Sequence, residues 1–237
     1  MKSQNLDVLL DSCDTLMLDM DGTLLDLAYD NYMWQEHIPT VYAQKNALSE
    51  AVAKEKLYGI MKKMQGKLIW YSLDYWSEVL DLDVASLHQD EQQRIGYLPG
   101  AKHFLETVAA HDVSVLMVTN SHQRTLDIKA AVTGITDYFD GIYTSHALGY
   151  AKEDQPFWHA LHDQVAFDCA KTVFIDDNAM VLQSARDYGI GNLLHITNPD
   201  TGRPAKQNDS FTGITGVSDL LVHQGGSELI KPTLVDG

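Results

Sequence analysis

The chain is short of several things at once, and each shortage removes a class of protein. It has two cysteines, Cys13 and Cys169, both in or beside apolar segments. Two are too few for a disulfide framework, so reduced thiols and a cytoplasmic setting are expected. No apolar run approaches the roughly 18–20 residues that a membrane-spanning helix needs. The opening residues, Met1 to Asp7, carry neither the apolar stretch nor the small-residue cleavage site of a secretory signal. Basic residues are scarce: 17 Lys and Arg stand against 33 Asp and Glu, a formal charge of −16. A surface of that sign repels nucleic-acid polymers and anionic membranes, so neither is expected as a partner. A small anionic substrate remains admissible where a local cation, such as a divalent metal, receives it.

Nucleotide-loop signatures are missing too. Gly59 and Gly66-Lys67-Leu68 have the wrong spacing for a P-loop and no hydroxyl after the lysine. Gly189-Ile190-Gly191 lacks the third glycine of a dinucleotide fingerprint. Asn208-Asp209-Ser210 is a formal glycosylation sequon, which carries meaning only with secretion. There is no internal repeat.

What is present supports a folded core: 237 residues, 45% of them apolar. Short apolar runs lie at Thr15–Leu18, Ser114–Val118, Thr172–Ile175 and Asn192–Ile196, with a fifth, interrupted by Gly141, at Phe139–Tyr143. Continuous rather than alternating runs predict strands covered on both faces. Helical segments are predicted between them at Ala101–His111, Arg124–Val132, Pro156–Val165 with Asp154 as cap, and Ala179–Tyr188. Alternating strand and helix predicts an α/β fold, a doubly wound, Rossmann-like parallel sheet. Residues 27–96 break the rhythm with a helix-forming, aromatic-rich stretch holding three of the four tryptophans. It reads as an inserted helical cap. The expected division is a catalytic core from 12–26 plus 97–200, a cap at 27–96, and a tail at 201–237 that packs on the core or frays, with one more helix at Val217–His223.

Ligands of open parallel sheets bind at the carboxyl ends of the strands. Three predicted strands end in Asp19-Met20-Asp21-Gly22-Thr23, Thr119-Asn120 and Asp176-Asp177, and Lys152 precedes the helix at 156. Two carboxylates ~4 Å apart repel by about 4 kcal/mol at an effective dielectric of 20. Asp19, Asp21, Asp176 and Asp177 therefore need protons or a cation if they converge. Hard oxygen ligands suit Mg2+ and not zinc. The expected ligands are Asp19, Asp177 and the Asp21 main-chain carbonyl, with Asp176 in the first or second shell. Asp19 is expected as nucleophile and Asp21 as the acid, then base, of a two-step transfer. Gly22 permits the tight turn that lets Thr23 and nearby amides face a ligand. Thr119, Asn120 and Lys152 are expected to hold the phosphoryl oxygens.

This pentapeptide and the order of Thr119, Lys152 and Asp176-Asp177 resemble the four motifs of the haloacid dehalogenase (HAD) superfamily. The resemblance covers 12–26 and 97–200, and the insert looks like that superfamily's helical cap. It implies a magnesium-dependent phosphatase with an aspartyl-phosphate intermediate; Asp21, absent from the dehalogenases, favours phosphoryl transfer over carbon–halogen cleavage. One departure is Glu153, where proline is common after the lysine. Asp19–Trp34, Trp70–Glu78 and Tyr150–Trp158 further resemble the bacterial GMP/IMP nucleotidases. That implies a purine nucleoside 5′-monophosphate as substrate, with Tyr29, Asn31, Trp34, Tyr71 and Tyr75 as cap candidates for binding it. The same rings could instead be cap core. A monomer is compatible with the sequence. His159 and His162 lack a third metal ligand and are expected to be exposed. The rival readings are a sugar-phosphate phosphatase or phosphomutase, and a phospho-acceptor signalling domain. In signalling receivers the acidic pair precedes the acceptor, the reverse of the order here.

Overall fold

The computed structural model describes residues 6–206 and 210–221. Six strands form one parallel sheet: β1 Thr15–Leu18, β2 Ser114–Thr119, β3 Gly141–Thr144, β4 Thr172–Asp176, β5 Asn192–Ile196 and β6 Thr212–Ile214, in spatial order β3-β2-β1-β4-β5-β6. Alternation along each strand sends neighbours to opposite faces. Leu16 and Leu18 of β1, with Val115, Met117, Val173 and Ile175, join one buried cluster. Met17, with Leu116, Val118 and Phe174, joins a second cluster under the helices Gln155–Gln164 and Ala179–Tyr188. Both faces are covered over the central strands β1, β2 and β4, which is why those strands read as unbroken apolar runs.

Between β1 and residue 96 the described elements are helical: Ala28–Tyr32, a wide turn at Met33–His37, Ile38–Lys45, Glu50–Met61, Leu68–Tyr71, Leu73–Leu80, Val84–Asp90 and Gln92–Arg94; the core helix Ala101–Val108 then leads into β2. Short polar residues start three of them. Ser49, Ser72 and Asp83 accept hydrogen bonds from the amides of Val52, Tyr75 and Ser86. Leu57, Leu73, Trp76, Leu80 and Val84 form the inner face of this cap and run on into the first sheet cluster. The outgoing and returning chains lie side by side, with Asp26 N donating to Gly96 O at 2.9 Å and Leu98 N to Leu24 O at 2.8 Å.

Several details differ from the sequence expectations. Strand β3 starts at Gly141, because Asp140 turns its carboxylate to Val115 N at 2.8 Å before the ladder begins. Strand β6 was not expected. Asp154 occupies the cap position of its helix, but its side chain takes no capping hydrogen bond. His162 is half-buried rather than exposed, since Tyr188 Oη lies 2.8 Å from its Nδ1 and Phe167 packs on its ring. Val217–Leu221 forms a short 3-10 turn with Val217 and Leu220 buried; the rest of the helix expected to reach His223, and residues 222–237 of the tail, lie outside the described residues, as do Asn208 and Asp209 of the sequon. Among the described residues no helix is long and apolar enough to cross a membrane.

Candidate active site

The carboxyl ends of β1, β2 and β4 open into a cavity of about 1230 Å³. Asp19, Asp21, Thr119, Asn120, Lys152, Asp176 and Asp177 all line it. Buried in its floor is Lys152, 2% exposed. Its Nζ donates to Asp19 Oδ1 at 2.6 Å, Asp176 Oδ2 at 2.7 Å and the Val118 carbonyl at 3.0 Å. Asp176 is further fixed by Asn178 N, which donates to Oδ1 at 2.8 Å and so links the strand end to the next helix. Ligand oxygens of Asp19, Asp176 and Asp177 lie within 4.8 Å of one another.

The turn after β1 explains Gly22. Its φ is +82°, a conformation that side chains disfavour. A Cβ there would stand 2.8 Å from Asp177 Cγ and 3.0 Å from Pro199 Cβ. The glycine thus gives both the turn and the room for Asp177. Thr23 is fully buried behind the turn, and its hydroxyl has no hydrogen-bond partner among the described residues; neither it nor Gly22 reaches the cavity wall.

Burial dominates the electrostatics. It pushes Asp19 up to about 7; the Lys152 ammonium opposes this, while Asp176 and Asp21 add to it. Burial likewise pushes Asp176 up to about 6 against Lys152, and Asp177 up to about 6 with Asp19 adding to the push. Asp21 is raised by burial against the pull of Lys129. Burial works against the Lys152 charge, yet Asp176 and Asp19 more than offset it and hold the ammonium above its usual pKa. Carboxylates raised in this way are under-compensated. The donors that converge are all oxygens, and they fit a hard dication.

Thr119 Oγ1 accepts from Ser121 N at 3.0 Å, which leaves its proton for a ligand. Asn120 serves the loop: its Oδ1 accepts from Lys152 N at 2.9 Å and its Nδ2 donates to Glu153 Oε2 at 3.0 Å. Tyr71, from the cap, donates to Glu153 Oε1 at 2.7 Å. Glu153, at the position where the sequence departs from the superfamily pattern, therefore bridges cap and core.

Of the other cap candidates, Asn31 and Trp34 line the cavity together with Trp70 and Trp76. Asn31 Nδ2 donates to Asp200 Oδ2 at 2.6 Å. Tyr29 and Tyr75 do not line it. Tyr29 is 2% exposed, and its hydroxyl donates to the His88 carbonyl at 2.8 Å and lies 3.0 Å from His88 Nδ1. Tyr75 packs edge-on against Trp76, with ring centroids 5.1 Å apart.

Three charged groups were not singled out by sequence. Lys129 is fully enclosed and donates to Asp21 Oδ1 at 2.6 Å. Asp30 accepts from the same ammonium at 2.8 and 2.9 Å. Lys206 stands 3.5 Å from Asp177 Oδ2. The available signal for Lys129 was its helical register with Thr125 and Leu126, which places it on the inner face of Gln123–Thr133.

A profile described as haloacid dehalogenase-like hydrolase matches residues 13–189. The GMP/IMP nucleotidase YrfG of Escherichia coli K12 is 37% identical over 208 residues, covering 88% of this chain and 94% of that protein. The pyrimidine 5′-nucleotidase PynA of Streptococcus pneumoniae is 23% identical over 86% of this chain and 94% of its own. Among solved structures, a HAD phosphatase from Thermococcus onnurineus superposes with a TM-score of 0.72 at 19% identity, covering 87% of this chain and 95% of that one.

Proposed function

The chain belongs to the haloacid dehalogenase-like hydrolases, and from that premise we propose that it is a magnesium-dependent phosphomonoesterase that dephosphorylates purine nucleoside 5′-monophosphates through an aspartyl-phosphate. The observation that carries this reading is the Lys152 ammonium joining Asp19 to Asp176 on the floor of a cavity with an aromatic wall. The identity with YrfG supports the choice of GMP and IMP among nucleotides. In this reading 12–26 with 97–200 is the catalytic core and 27–96 the cap, and of the segment that follows residue 200, β6 Thr212–Ile214 completes the core sheet.

Asp19 attacks phosphorus, and the bond to the leaving oxygen breaks as the Asp19–phosphorus bond forms. Asp21 gives its proton to that leaving oxygen, releasing the nucleoside. It then takes a proton from the water that splits the aspartyl-phosphate, which releases inorganic phosphate and restores Asp19. Lys152 and the Thr119 hydroxyl stabilise charge on the transferring phosphoryl oxygens. Mg2+ held by the carboxylates of Asp19 and Asp177 and the Asp21 carbonyl, with Asp176 beside them, would neutralise the crowd of acids and polarise the phosphoryl group. Trp34 and Tyr71 supply faces for a base.

A cavity of about 1230 Å³ exceeds the ~300–1,000 Å³ of most ligand pockets and leaves room for water beside a nucleotide. The deciding experiment measures kcat/KM with Mg2+ over IMP, GMP, AMP, pyrimidine monophosphates and hexose phosphates. GMP and IMP are expected to lead by at least about tenfold, equivalent to ~1.4 kcal/mol of transition-state binding. A lead for hexose phosphates contradicts the nucleotidase reading.

A further inference from the structure

Lys129 is a buried ammonium that the mechanism above leaves without a task. It projects from the helix Gln123–Thr133 and is 1% exposed. Its Nζ donates to Asp21 Oδ1 at 2.6 Å and to the two oxygens of Asp30 at 2.9 and 2.8 Å. The Tyr29 ring lies 5.5 Å from it. Asp21 and Asp30 line the cavity, whereas Lys129 stands behind them. Asp30 belongs to Ala28–Tyr32, the first helix of the cap.

A carboxyl group that must hand a proton to one leaving oxygen needs a fixed direction and a defined protonated oxygen. An oxygen already taking a charge-assisted bond from an ammonium is a poor place for that proton. With Oδ1 held by Lys129, the proton of Asp21 belongs on Oδ2. Burying an ammonium is costly unless charged partners surround it, and here both partners are carboxylates of the cavity wall. We propose that Lys129 is a positioning residue for the acid–base step: it selects the oxygen of Asp21 that carries the proton and, through Asp30, ties that carboxyl to the first helix of the cap. The inference rests on the reading of Asp21 as the acid and extends it.

The test uses the dependence of this step on the leaving group. An alkyl ester such as IMP needs a proton on its departing oxygen; p-nitrophenyl phosphate departs as a stable phenolate without one. Since kcat/KM reports phosphoenzyme formation, Lys129→Met is expected to lower it about 100-fold for the alkyl ester, in the range of a general-acid contribution. For p-nitrophenyl phosphate it should stay within about threefold of wild type. Lys129→Arg should recover most of the alkyl-ester loss. An equal fall for both esters would assign Lys129 to structure alone and overturn the proposal, as would no change for either. Asp21→Asn is the control: if it fails to separate the two esters, the acid role of Asp21 falls and this proposal with it. Separation by Asp21→Asn without separation by Lys129→Met overturns the Lys129 role alone. Should the methionine variant not fold, Asp30→Asn keeps the ammonium and loosens its tether. It is then expected to slow the alkyl ester severalfold and spare the aryl ester; equal loss, or none, counts against the proposal.

Discussion

On the cavity floor Lys152 lies within 3 Å of Asp19 and Asp176, while on the cap side Trp34 and Trp76 meet edge to face at 5.7 Å. The floor is held by short, directional, charged bonds between residues far apart in the chain, whose carboxylates are raised by burial. The cap wall is held by broad, weakly directional ring contacts. Removing one member of the floor leaves a buried charge without its partner, which costs several kcal/mol. Removing one ring from the wall costs contact area that neighbours can partly refill. Chemistry should therefore be brittle at the floor, and substrate choice adjustable at the wall.

The sharpest way to break this contrast is Asp19→Asn. Loss of roughly 10⁴-fold or more in kcat is expected, as for removal of a nucleophile, with the thermal melt of the variant still cooperative. Retention of most activity would remove covalent catalysis from the account. Next is Lys152→Met, which leaves Asp19 and Asp176 buried together; about 3–5 kcal/mol of stability should disappear in urea unfolding. A loss below about 1 kcal/mol, the value of a surface pair, would show that the floor is less enclosed than its geometry indicates.

A smaller effect comes from pH and metal. Asp19 near 7 and Asp176 and Asp177 near 6 lie above the value of about 3.9 for a free carboxyl. These groups take up protons on folding, so the stability they contribute is complete below about pH 4 and lost as pH rises through 6 and 7. Mg2+ held among these carboxylates would replace the protons. The rise in melting temperature on adding Mg2+ should therefore be larger at pH 8 than at pH 5.5, and saturating metal should add about 2–3 kcal/mol. His88, pushed down to about 3 by burial and by Lys129, acts in the opposite sense, but its contribution is common to both metal states and cancels in the difference. Equal Mg2+ shifts at the two pH values would count against a metal on this floor. The smallest effect belongs to the wall: Trp34→Ala should raise KM for GMP by a factor equivalent to about 0.5–1.5 kcal/mol and leave p-nitrophenyl phosphate almost unchanged. A fall in kcat for both substrates would instead make Trp34 part of the cap's fold.

The same contrast explains what could be read from sequence. The floor was legible because each strand is an apolar run that stops at a polar residue: Leu18 gives way to Asp19, Val118 to Thr119, Ile175 to Asp176. Parallel strands put those stops on one edge. Lys129 escaped because one lysine in a helix looks solvated, and its partners Asp21 and Asp30 lie on the far side of the cap sequence. The ring assignments could only be partial. Which aromatics face the cavity depends on how each cap helix rolls, so Trp34 and Tyr71 turned inward to it while Tyr29 was drawn to His88 and Tyr75 to Trp76. Strand β6 is too short, and too rich in Gly and Thr, to stand out as a run.

In the proposed reaction Asp19 itself carries the phosphoryl group during turnover. Rapid quenching of the reaction with IMP and Mg2+, followed by peptide mass spectrometry, tests it directly. A phosphoryl adduct on Asp19 should form in the wild type and accumulate in Asp21→Asn, where the water-splitting step lacks its base. Steady release of inorganic phosphate with no adduct on Asp19 in either protein, or an adduct on another residue, would contradict the account.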